Sequence, residues 1–62
     1  MQTRVVVRVM HPVYPTMVRW EADQGARFRD DADIQRVVAK LTAEARRRFG
    51  EAAQVIVDTR ET

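Results

Sequence analysis

The chain has 62 residues, of which 32% are charged, and a formal net charge of +2 at pH 7. This length predicts a single domain, residues 1–62, with one hydrophobic core. The absence of Cys and the presence of one His exclude a disulfide framework, a thiolate zinc site and a cysteine nucleophile, and the interspersed acidic residues exclude a polybasic tail for membranes or nucleic acid.

The first predicted element is a strand over Thr3–Met10, because TRVVVRVM is dense in β-branched residues and free of Gly and Pro. Side chains alternate between the two faces of a strand. We therefore assign Val5, Val7 and Val9 to the core face. The opposite face carries Arg4, Val6, Arg8 and Met10.

A turn follows at residues 11–15, HPVYP, because two prolines fix the backbone and remove two hydrogen-bond donors. The second strand is predicted over Thr16–Ala22, with Val18, Trp20 and Ala22 on the core face. His11 and Tyr14 lie in the turn. Without a nucleophile or an orienting acid nearby in sequence, they favour a rigid hairpin end, with Tyr14 at the edge of the core, over a catalytic pair.

The register of this hairpin is limited by parity, since a slip of one residue would bring an arginine to the core face. Two registers remain. One places Arg4 opposite Glu21, and the other places Arg8 opposite Arg19. Opposite charges across two strands stabilise the pair and like charges destabilise it, so we favour the first register.

A helix is predicted from an N-cap at Asp30 or Asp31 to about Phe49, followed by Gly50 in a left-handed conformation. Its spacing of apolar residues produces one stripe that covers a sheet. This stripe consists of Ile34, Val37, Val38, Leu41, Ala45 and Phe49. Acidic residues in the first turn, Asp30, Asp31 and Asp33, are interpreted as helix caps and not as a metal site, because the spacing of a calcium loop is absent.

A third strand is predicted over Ala53–Thr59, with Val55 and Val57 on one face and Gln54, Ile56 and Asp58 on the other, and 60–62 as a frayed tail. The helix crosses back over the sheet, so this strand runs parallel to the second and pairs with the first. The predicted fold is an α+β domain of order β-β-α-β. Its three-stranded antiparallel sheet has the order 2-1-3, and one helix packs on one face.

The face of this sheet away from the helix is predicted to carry arginines and apolar side chains together. One helix covers only one face of a three-stranded sheet, and Met and Arg are enriched in protein interfaces. We therefore predict an interface on this open sheet face or at a sheet edge. The candidate residues are Val6, Arg8, Met10, Met17, Arg19 and Ile56.

A basic ridge on the helix, Arg36, Lys40 and Arg47, is the second candidate surface, because these side chains project within about 40° of one another. Contact with phosphates is its functional interpretation. No aromatic residue alternates with these cations to stack bases. A solvated, salt-bridged helix face is the favoured interpretation of this ridge.

These patterns predict a small protein–protein interaction module, a homo-oligomer or an accessory subunit, in the cytoplasm. A nucleic-acid-binding module that uses the basic ridge or the sheet arginines is the alternative. The sequence indicates no enzyme activity, no catalytic residue, no cofactor, no metal site, no small-molecule ligand and no membrane partner. A chain this short without disulfides or metal usually needs regular packing or a partner subunit to remain folded, which favours association.

Overall fold

The structure, a computed structural model, describes residues 2–61. Its elements are, in chain order, β1 (Thr3–Met10), β2 (Val18–Ala26), α1 (Asp31–Phe49) and β3 (Val55–Glu61). β1 lies at the centre of a three-stranded antiparallel sheet of order β2-β1-β3, and α1 packs against one face. The predicted α+β fold and strand order are therefore confirmed.

The core lies between β1 and α1. Val5, Val7 and Val9 are at most 1% exposed and contact Leu41 and Ala45 of the helix. The predicted alternation of β1 is thus confirmed. Around this centre pack partly buried residues from the predicted helix stripe, from the two outer strands and from the connections before and after α1: Trp20, Ala22, Phe28, Ile34, Val37, Val38, Phe49, Ala53 and Val55.

The start of α1 forms as predicted, and its end does so only in part. At the start, the Asp30 carboxylate accepts a hydrogen bond of 3.1 Å from the Asp33 backbone N–H, and Asp33 accepts one of 3.3 Å from the Arg29 N–H. At the end, the Gly50 N–H donates to the Arg46 carbonyl at 2.8 Å. Gly50 has φ 85° and ψ 169°, so the predicted positive φ is present, although ψ is extended and not helical.

The hairpin register differs from both predicted ones. Arg8 pairs with Glu21 and Arg4 pairs with Gly25, so the predicted Arg4–Glu21 pair is wrong. The connection spans residues 11–17 and is longer than a tight turn, which shifts β2 by four residues toward the C-terminus. Parity is kept, and an arginine still faces a glutamate, which is the cross-strand stabilisation expected for opposite charges.

A β-bulge directs Val18 to the face opposite the predicted one. Trp20 pairs with Val9, whereas Val18 pairs with Met10, so Arg19 is an extra residue opposite no partner. Val18 therefore shares the open face with Met10 and is 46% exposed. The assignment of Val18 to the core was wrong because simple alternation takes no account of a bulge.

Both outer strands begin and end later in the chain than predicted: β2 begins at Val18 and not at Thr16, and β3 begins at Val55 and not at Ala53. The segment 23–26, predicted as a loop, belongs to β2 and pairs with β1. Arg60 and Glu61, predicted in a frayed tail, pair with Arg4 and Thr3; residue 62 lies outside the described residues. Within residues 2–61, α1 does not combine the length and the apolar character that crossing a membrane requires.

Candidate functional site at the hairpin end of the sheet

One end of the domain brings together four of the six predicted interface residues, Met10, Met17, Arg19 and Ile56. Here β1 ends, β2 and β3 begin, and α1 ends, so the loop 11–17 lies beside the last helical turn and the connection 50–54. The Met10 N–H donates to the Gln54 carbonyl at 3.0 Å, and the His11 N–H donates to the Met17 carbonyl at 2.8 Å. We call this region the hairpin end.

Away from the hairpin end, the open sheet face is occupied by ion pairs. Arg4 pairs with Asp23 at 2.9 Å, Arg8 with Glu21 at 2.7 Å and Arg60 with Asp58 at 2.8 Å. Val6, on the same face between these strands, is only 4% exposed. Val6 was predicted as an exposed interface residue, and this is wrong, because the salt-bridged side chains around it remove it from solvent.

Exposed apolar side chains concentrate at the hairpin end. Among the described residues, the large apolar side chains that are exposed are Val13, Tyr14, Met17, Val18 and Ile56 at this end, and Val57 on the helix side of β3. Together with the half-buried Met10, the first five form what we call the hairpin patch. Of the predicted interface residues, Met10, Met17 and Ile56 therefore belong to one patch.

The loop 11–17 is held by the ring of His11. Its Nδ1 accepts hydrogen bonds from the backbone N–H groups of Val13, at 3.0 Å, and Tyr14, at 3.1 Å. The rings of His11 and Tyr14 lie 5.2 Å apart. Because its ring accepts these two hydrogen bonds, the side chain of His11 is part of the hairpin structure. Tyr14 is 59% exposed, so its predicted packing at the edge of the core is wrong.

A cleft of about 420 Å³ opens between this loop and the end of α1. Its surface is about half apolar and half polar; the apolar residues that line it are Val9, Met10, Pro12, Pro15, Phe49, Ala52 and Ala53, and the polar ones are His11, Arg19 and Gln54. The Arg19 guanidinium carbon lies 4.9 Å from the centre of the Phe49 ring. Arg19, predicted on the open sheet face, is thus directed toward the helix by the bulge.

The last turn of the helix fixes one wall of this cleft. The Arg46 guanidinium donates to the carbonyls of Glu51, at 2.7 Å, and Ala53, at 2.6 Å. The Arg48 guanidinium carbon lies 5.8 Å from the centre of the Trp20 ring. A guanidinium nitrogen of Arg48 forms an ion pair with the Glu44 carboxylate at 3.1 Å. Hydrogen bonds from a charged donor stabilise more than neutral ones, so Arg46 holds the connection 50–54 against the helix.

The basic ridge is partly neutralised. Arg36 forms an ion pair with Asp33 one turn earlier. Lys40 and Arg47 are exposed, and neither forms an ion pair within residues 2–61. Asp33 also accepts the Arg29 N–H, and Asp30 caps the helix. The capping interpretation of these two acidic residues is confirmed. Across the described chain, no three potential metal ligands come together.

Comparisons of the chain with protein-family models, with curated proteins and with solved structures found no match.

Sequence reasoning missed the cleft and the role of Arg19. The cleft depends on the angle between the loop 11–17 and the helix end, which no local pattern reports. The bulge depends on the tertiary register of β1 and β2. The sequence did contain a signal for the role of His11 in the loop 11–17. His11 directly precedes the first of two prolines, and a side-chain acceptor at that position is suited to cap a turn.

Proposed function

We propose that this chain is a small protein-interaction module that associates through the hairpin patch, with a second copy of itself as its partner. The concentration of exposed large apolar residues at one end supports this proposal, because scattered apolar side chains are ordinary but a cluster marks a binding surface. A cytoplasmic setting belongs to the same proposal, because disulfides are typical of proteins in oxidising compartments and this sequence has no Cys to form one.

The accessible surface of the chain supports a second copy as the partner. It measures 4646 Å², whereas a compact monomer of this mass exposes about 4,100 Å². The excess of roughly 500 Å² is surface that a partner can cover, and a stable complex buries roughly 800 Å² on each partner. The principal extents of 37 × 20 × 12 Å describe a flat molecule, and pairing two flat molecules removes this excess from water.

Self-association is the first testable prediction. Light scattering after size exclusion, at micromolar protein concentration, is expected to give at least twice the chain mass of 7.2 kDa. Ile56→Glu is expected to reduce this to the monomer mass, because it would bury an unpaired carboxylate in the interface. Circular dichroism of the variant should retain the helical signal.

Val57→Glu is the matched control for this experiment. Val57 is 42% exposed and Ile56 is 39% exposed, and the two are neighbours in β3 that face opposite sides of the sheet. A dimer that survives Val57→Glu and not Ile56→Glu supports the patch. Loss of assembly with Val57→Glu alone would place the contact on the helix side, and a monomeric wild-type chain would contradict self-association.

Nucleic-acid binding, the alternative function, is expected to be weak. With a net charge of +2 and Arg36 engaged by Asp33, we expect dissociation constants no lower than the non-specific range of about 10⁻⁴ to 10⁻⁶ M at physiological salt. Fluorescence anisotropy with labelled duplex and single strands measures this. Sub-micromolar binding that disappears in the triple variant Arg36→Ala, Lys40→Ala, Arg47→Ala would favour the alternative.

A further inference from the structure

The cleft at the hairpin end has the size of a small-ligand site and combines apolar with polar surface. Its volume of about 420 Å³ lies within the roughly 300–1,000 Å³ of such sites, and no acidic residue is among the described residues that line it. We propose that the cleft binds a carboxylate attached to an apolar group. In this site, Arg19 is the counter-ion and the Nε2–H of His11 is the second donor.

Arg19 is available for an anion and is held in place. Within residues 2–61, no carboxylate forms an ion pair with it, although five other arginines have such partners. The bulge places it opposite no residue of β1, and its guanidinium carbon lies 4.9 Å from the Phe49 ring centre. Bulges orient side chains at binding sites. A guanidinium over a ring keeps the in-plane N–H groups that bind a carboxylate with two bonds.

The tautomer of His11 suits the same ligand. Because Nδ1 accepts two backbone N–H groups, the neutral ring carries its proton on Nε2. The ring nitrogen that remains for a ligand is therefore a donor. A donor on His11 and a guanidinium on Arg19 together favour an anion over a cation or a metal ion.

The cleft is formed before any ligand binds. Arg46 ties the connection 50–54 to the helix through two carbonyls, and the Met10 N–H bonds the Gln54 carbonyl at 3.0 Å. A preformed site loses little ordering entropy on binding. The helix C-terminus contributes about half a negative charge at this end, and Arg46 and Arg47 of the last turn offset it, whereas Arg48 is paired with Glu44.

The walls define the rest of the ligand. Pro12, Pro15 and Phe49 contribute apolar surface, which favours an aliphatic or aromatic body. One guanidinium and one imidazole N–H match the single charge of a carboxylate. A free organic acid and the carboxyl end of a peptide with an apolar last residue share this chemistry.

Titration followed by amide NMR shifts tests the site with defined probes. Phenylacetate is expected to give saturable shifts around residues 9–11, 19 and 52–54, and phenylacetamide, its uncharged match, to bind at least tenfold more weakly. Phenylacetate binding more tightly than N-acetylphenylalanine indicates a free acid, and the reverse indicates a chain end. Equal binding of acid and amide, or no saturable shift in the millimolar range, would overturn the proposal.

Three variants separate the site from general electrostatics. Arg19→Met is expected to lower the affinity for phenylacetate at least tenfold, and Arg47→Met, which removes the same charge from outside the cleft, to leave it within about twofold. His11→Asn keeps an acceptor for the Val13 and Tyr14 N–H groups and should weaken binding severalfold. An equal loss for the two arginine variants, or no loss for His11→Asn, would contradict the assigned roles.

Ligand binding in the cleft does not require self-association. Repeating the titration on Ile56→Glu separates the two, because Ile56 does not line the cleft. Binding that persists in this variant supports the site as a property of the monomer. Binding lost in it, with the fold intact by its amide spectrum, would overturn that assignment.

Discussion

Replacing Leu41 with Ala is expected to lower the free energy of unfolding by about 2–5 kcal/mol. Leu41 is 7% exposed and contacts the three buried valines of β1, so truncation removes apolar burial and leaves a cavity in the centre of the core. For a domain of this size, such a loss corresponds to a decrease in Tm of roughly 10–30 °C. Urea unfolding followed by circular dichroism measures it.

Leu41→Met is the matched control, because it conserves side-chain volume and is expected to cost less than about 1.5 kcal/mol. Both variants should be compared at one protein concentration, since association with a second copy would add to the apparent stability. An equal loss for Ala and Met, or a loss below about 1 kcal/mol for Ala, would mean that Leu41 does not fill the core as the structure shows.

Replacing Gly50 with Ala is expected to cost about 1–3 kcal/mol. Gly50 has φ 85° and ψ 169°, a region of backbone conformation that is essentially restricted to Gly. A Cβ added there meets nothing within 4 Å. The whole cost therefore comes from the backbone and none from a steric clash.

Gly25→Ala provides the comparison within the same chain. A Cβ at Gly25 would lie 3.5 Å from an Arg4 guanidinium nitrogen, which is ordinary van der Waals contact, and its φ is not positive. Ala at this strand position is expected to be neutral or to stabilise by up to about 1 kcal/mol through the unfolded state. If thermal melts show equal losses at the two glycines, the positive φ of Gly50 is not the cause.

The parts of the fold that depend on local sequence could be predicted. The alternation of Val5, Val7 and Val9 identified the buried face of β1, and Asp30 and Gly50 marked the limits of α1. These signals operate within a few residues of the chain, so a single sequence contains them in full.

The parts that depend on contacts between distant elements could not be predicted in detail. The register of β2 follows from the length of the loop 11–17, and the orientation of Arg19 follows from a bulge that alternation does not reveal. Val6 was misassigned because its burial depends on which arginines and carboxylates meet above it. Of the candidate surface, Met10, Met17 and Ile56 were identified, whereas the cleft was not.

The central position of β1 has a consequence for the order in which the sheet assembles. Pairing β1 with β2 closes only the short loop 11–17, whereas pairing β1 with β3 joins residues roughly 50 positions apart, and the entropy of closure grows with that separation. We expect the hairpin to form early and β3 to dock late. Until β3 docks, the free edge of β1 exposes a run of valines to other chains, so slow docking favours misassembly during folding.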